Sequence, residues 1–160
     1  MRAIQQHASD ADLDQLSWHD NTIYGFRFDV GDSFQGDWHA DLVLDIDHIV
    51  EWICATDGGA RFRVAPATLT FHGVTDLRIA IDWGDSSHRN ALYDLSIGAI
   101  TREPVPNQEG YPERTYYRWR IELNWPKGAE IGFGASGFTQ KLRAEPVLLD
   151  AQRLSAAGRA

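Results

Sequence analysis

The residues best suited to chemistry lie in the first half of the chain. Trp18-His19-Asp20-Asn21 sets an imidazole beside a carboxylate, a pair able to ligate a metal or pass a proton. Asp45 and Asp47 follow with one residue between them. On a strand that spacing puts both carboxylates on one face, ~7 Å apart, where they could bind a hard cation or divide acid and base roles. His48 falls on the apolar parity of the same stretch, and His72 on the polar parity of Thr68-Leu69-Thr70-Phe71-His72. Asp82-Trp83-Gly84-Asp85 leads into a polar turn, so Trp83, like Trp38, borders a loop. Exposed together, the two tryptophans would anchor a partner; buried, they would close the ends of a core, which is the expectation here.

Each group also has a plain structural use. Asp20 and Asn21 can end a first turn and lead into a strand, with Trp18 packed and His19 hydrogen-bonded. Arg118 and Arg120 repeat the spacing of Asp45 and Asp47, and we expect an Asp/Arg ladder across neighbouring strands. A histidine on an apolar face is ordinarily a hydrogen-bonded core residue. Catalytic and metal-ligating roles are therefore assigned to no residue, and no cofactor is expected. Binding candidates are Trp18, His19, Asp20, Asp45, Asp47, His48 and Trp83.

The elements that position these groups read as strands. Tyr24, Phe26, Phe28 and Val30 alternate with Ile23, Gly25, Arg27 and Asp29. Ala40, Leu42, Leu44, Ile46, His48, Val50 and Trp52 share one parity of a run too long for a simple strand, so a bulge is expected near His48. Further strands are expected at Arg61–Val64, Thr68–Gly73, Leu77–Trp83, Ala91–Thr101, Thr115–Trp125, Glu130–Ala135 and Phe138–Arg143. Asp57-Gly58-Gly59 and Pro126-Lys127-Gly128 supply turns, and Glu103 to Arg114, with three prolines, reads as an exposed loop. Helical signals are confined to a short capped turn at residues 9–17 and a tail helix through Leu148, Leu149 and Leu154.

The chain therefore reads as one mainly β domain over 1–160: an antiparallel β-sandwich or partly open barrel with short N- and C-terminal helical segments. Residues 1–16 are an N-terminal arm and 146–160 a C-terminal tail. Gly132-Phe133-Gly134-Ala135-Ser136-Gly137 matches G-x-G-x-x-G in letters. Pro146 arrives too soon afterwards for the helix that motif requires, so the glycines are expected to bend a strand or admit a close neighbour. Gly134-Ala135-Ser136-Gly137-Phe138 lacks the last glycine of a nucleophile elbow. Cys54, the single cysteine, is expected to be a small buried hydrophobe.

A net charge of −8 disfavours binding to phosphate backbones and would attract a basic protein. The sequence shows no signal-peptide run and no membrane span, and a cytoplasmic location is expected. Oligomeric state is open.

Several segments carry a resemblance: Trp18-His19-Asp20-Asn21, Asp45 to Trp52, Phe62 to Leu69, Tyr117 to Asn124, and Gly137-Phe138-Thr139-Gln140. In these the chain resembles a family of uncharacterised bacterial proteins, a domain of unknown function, over nearly its whole length; that resemblance implies no activity. The Trp-His-Asp segment leading into an acidic β-rich domain is also similar, more loosely, to immunity proteins of bacterial polymorphic toxin systems. The function expected is a non-enzymatic module that binds a basic protein, an immunity-type inhibitor for example. The alternative is a metal-dependent or small-molecule enzyme using His19, Asp20, Asp45, Asp47 and His48.

Overall fold

A computed structural model describes residues 4–84, 94–106 and 115–159. Among these residues, period-two alternation becomes ten antiparallel strands. These are β1 (His7–Ser9), β2 (Thr22–Val30), β3 (Ala40–Cys54), β4 (Ala60–His72), β5 (Thr75–Ala80), β6 (Leu95–Pro104), β7 (Tyr117–Trp125), β8 (Glu130–Ala135), β9 (Gly137–Leu142) and β10 (Val147–Leu149). They form one sheet in the order β1-β9-β4-β3-β2-β6-β7-β8-β5, with β10 also on β4.

The sheet turns back on itself through two corners. Only Gly73 and Val74 separate β4 from β5, and only Ser136 separates β8 from β9. The ladder from Ala67↔Leu142 to His72↔Gly137 therefore continues past the corner as β5 against β8. Gly73, at φ 63°, takes a left-handed conformation that a side chain would oppose. Among the described residues, the second seam between the layers is β2 against β6, where Thr22↔Ser96 and Ile23↔Leu95 pair. The described strands make an antiparallel architecture of the β-sandwich or partly open barrel class.

Between the layers, inward side chains of four strands are fully buried: Leu42, Leu44 and Ile46 on β3, Leu69 and Phe71 on β4, Ile121 on β7 and Ile131 on β8. Trp119 of β7 sits edge-on to Phe71 at 5.0 Å and Phe138 at 5.8 Å, locking the layers together. A bulge between Ile49 and Glu51 relieves the length of β3, as the run near His48 led us to expect. Asp10–Gln15 and Ala156–Arg159 are short 3-10 turns, and Asp12 receives the Ser9 N–H at 2.9 Å.

Three local expectations are corrected. Arg61–Val64 and Thr68–Gly73 are one strand, because Pro66 costs the ladder nothing. Its carbonyl accepts from Arg143 N at 2.8 Å, so its donor-less nitrogen faces the gap between β10, on residues 62–64, and β9, on residues 67–72. The tail is not helical through Leu148 and Leu149, since those residues extend β4's edge ladder. Cys54 is exposed, because β3 runs past the end of the core. The polar turn after Gly84, the start of the strand expected from Ala91 and most of the loop before Arg114 lie outside the described residues. No helix among the described residues is long and apolar enough to cross a membrane.

Candidate functional site

Trp18 to Asn21 form a corner that ties four elements together. Trp18 is buried, edge-on to Phe138 at 5.3 Å, and its indole N–H donates to Gln140 Oε1 at 2.7 Å. Asp20 adopts φ 62°, which turns its backbone N–H onto Ile97 O at 2.8 Å. Its carboxylate receives Asn124 Nδ2 at 2.7 Å and Gln152 Nε2 at 3.0 Å, joining β7 and the tail. His19 Nδ1 lies 3.2 Å from the same carboxylate with the ring largely in solvent.

Behind this corner lies a buried polar network. Asn21, fully buried, accepts the Ile49 N–H at 3.1 Å and donates to His48 Nδ1 at 2.8 Å. The amide thus stands in for a strand residue beyond the first rung of β2. Burial pulls the His48 imidazolium down to about 4, so the ring is neutral near pH 7. Asp47, also fully buried, accepts the Tyr24 hydroxyl at 2.9 Å and the Leu154 N–H at 2.7 Å. Burial, then the hydrogen bond to Asp47, pushes the Tyr24 phenol up to about 12. The Arg159 guanidinium stacks over the Tyr24 ring at 3.2 Å and brings a positive charge to this network.

The expected Asp/Arg ladder is corrected. β2 and β6 separate β3 from β7, so Arg118 and Arg120 cannot reach Asp45 or Asp47. Asp45 pairs instead with Arg143 at 2.6 Å, while Arg120 holds Glu130 at 2.8 Å and Glu122 at 3.0 Å. The structure thus brings together His19 with Asp20, buries the adjacent Asp47 and His48 with separate hydrogen-bond partners, and leaves Asp45 apart on the surface. Among the described residues, no three His, Cys, Asp or Glu side chains are grouped so as to hold a metal ion. Trp83 is half-buried against the core.

The opposite character appears at the far end of the β2–β3 hairpin. A bulge between Ile23 and Gly25 shifts the parity, so Phe26 opposes Leu44 and Phe28 opposes Leu42. These rings share the face of Leu42 and Leu44 but lie beyond the described β2–β6 rungs. Phe28 is 55% exposed, Val30 63%, Trp38 79% and Phe34 97%. The expectation that Trp38 closes the core is therefore overturned.

The connection that carries Phe34 and Trp38 is ordered by its own hydrogen bonds. Asp32 accepts from Phe34 N at 3.0 Å and its carbonyl from Asp37 N at 3.1 Å, and Gly31 N donates to His39 O at 2.9 Å. Asp37 receives His39 Nδ1 at 2.9 Å, and Asp29 stands 3.6 Å from Nε2. The bond to Asp37, with Asp29 adding to it, raises the pKa of His39 above its ordinary value. A Cβ on Gly31 would collide with the Asp37 carboxylate, so glycine is needed for that close approach. The aromatic side chains are thus held outward on a braced backbone, with Asp29, Asp32 and Asp37 set between them.

No protein-family model, curated protein or solved structure matches the chain. The reading of the site rests on its geometry. The strand reading of residues 23–30 carried a warning of the exposed patch, since both Phe26 and Phe28 had to be buried by something. Nothing local showed that they would stay exposed.

Proposed function

We propose that the protein binds another protein through the outer end of the β2–β3 hairpin, and that the partner offers an apolar groove with a basic rim. The observation that carries this reading is the cluster of Phe28, Val30, Phe34 and Trp38, exposed on an ordered hairpin. Large apolar groups held in water are unfavourable by roughly 25 cal/mol per Å² of apolar surface, and a partner that covers them recovers it. A braced loop loses little conformational freedom on docking. The interleaved carboxylates and the net charge of −8 select a basic rim and speed encounter with it. Inhibition of a basic enzyme, the role of an immunity-type protein, is a pairing of this kind.

A photo-crosslinking amino acid placed at Trp38 tests the proposal. The crosslinked protein is identified by mass spectrometry, purified, and its affinity measured at low and high salt. The expected partner is basic, binds more weakly as salt rises, and is lost by the Phe34→Ser/Trp38→Ser double variant. Affinity indifferent to salt or unchanged in that variant overturns the reading, as does crosslinking only to a second copy of the chain.

A further inference from the structure

On the outer face of the first layer, three strands bring together an acid, an imidazole and a hydroxyl. His72 of β4 has Nδ1 3.1 Å from Asp41 Oδ2 on β3 and Nε2 2.9 Å from Thr139 Oγ1 on β9. The other Asp41 oxygen accepts the Gly73 N–H at 3.1 Å, which fixes the carboxylate at the corner. A carboxylate only accepts, so Nδ1 carries the proton and donates to Asp41. With Nδ1 as the donor, Nε2 is free to accept the Thr139 hydroxyl. This is the proton arrangement of a nucleophile, a general base and an orienting acid.

Thr139 also lines a cleft of about 550 Å³ whose walls include His7, Ser9, Thr68, Thr70 and Lys141. Its hydroxyl-rich wall suits a small polar ester, and the Lys141 ammonium and the Asp12 carboxylate also line it. We propose that Thr139 is an acyl-accepting nucleophile for small esters, with His72 as its base and Asp41 as the residue that positions His72. Thr139 Oγ attacks the ester carbonyl carbon and its proton passes to His72 Nε2. The carbonyl–alkoxy bond breaks, and the leaving alcohol takes that proton. Water then attacks acyl-Thr139 and gives a proton to Nε2, and Thr139 Oγ recovers it as the carboxylic acid leaves. This site lies on the face opposite the exposed aromatic side chains and does not depend on their role.

The test is the intact protein with 4-nitrophenyl acetate, followed by nitrophenolate release and by mapping of the acetylated peptide. Acetyl on Thr139 is expected, retained by Thr139→Ser and absent from Thr139→Val, with far-UV circular dichroism confirming that both variants fold. His72→Gln is expected to slow acylation by roughly 10²- to 10⁴-fold. Asp41→Asn keeps an acceptor for Gly73 and should lower the acylation rate with the KM for the ester unchanged. No acetylation, acetyl on Lys141 or His7 in place of Thr139, or a rate unaltered by Thr139→Val overturns the proposal.

Discussion

The Trp18–His48 corner and the β2–β3 hairpin end handle the same residue types in opposite ways. At the corner, Asn21 and Asp47 are wholly buried, and hydrogen bonds connect them to β2, β3 and the tail. At the hairpin, the apolar groups face water while the polar ones spend their bonds bracing the loop. A polar group buried with partners specifies a fold, whereas an apolar group left outside on a rigid frame is available to something else. On the proposed reading, the difference sets the fold's buried polar network in the corner and recognition in the hairpin.

Mutations that treat the two regions alike would break this contrast. The largest effect is expected for Asn21→Ala, which orphans the Ile49 N–H and removes the donor to His48. A loss of about 4 kcal/mol in chemical denaturation follows from two buried groups left unpaired. A loss below ~1 kcal/mol would mean that the network is not structural.

The pH dependence comes next. The folded His48 takes up its proton only near 4, against 6.5 in the unfolded chain. Between those values the unfolded state binds the extra proton, so stability is fully present above 6.5 and falls as pH drops toward 4. The span is about 3 kcal/mol, with no further loss from this residue below 4. His48→Gln, whose amide oxygen can still accept from Asn21, should flatten that part of the stability–pH curve. An unchanged slope would place the titrating group elsewhere.

Trp18→Phe keeps the ring against Phe138 but leaves Gln140 Oε1 without its donor. About 1–2 kcal/mol is expected in a urea titration. The smallest effect belongs to the hairpin: Phe34→Ser/Trp38→Ser should change stability by less than ~0.5 kcal/mol while abolishing partner binding. A large loss of stability there would show that those side chains support the fold, and the contrast between the two regions would fail.

What could be read from the chain followed distance along it. Alternation from Ile23 to Leu142 gave the strand class, the bulge in β3 and the glycine turns, because each is decided by neighbours within a few residues. The Asp45/Asp47 spacing showed a shared face but not a partner. Arg118 and Arg120 matched it in spacing, and the charge instead meets Arg143, because only the strand order decides which basic group lies alongside. The corner showed the same limit, since Gln140 and Leu154 meet Trp18 and Asp47 across more than a hundred residues.

The sequence by itself therefore determined that Leu42 and Leu44 share one side of their strand, and Phe26 and Phe28 one side of theirs. Tertiary structure alone decided that the two strands meet on one face and that the first pair is buried while the last is exposed, because a period of two names a face but carries no information on what covers it.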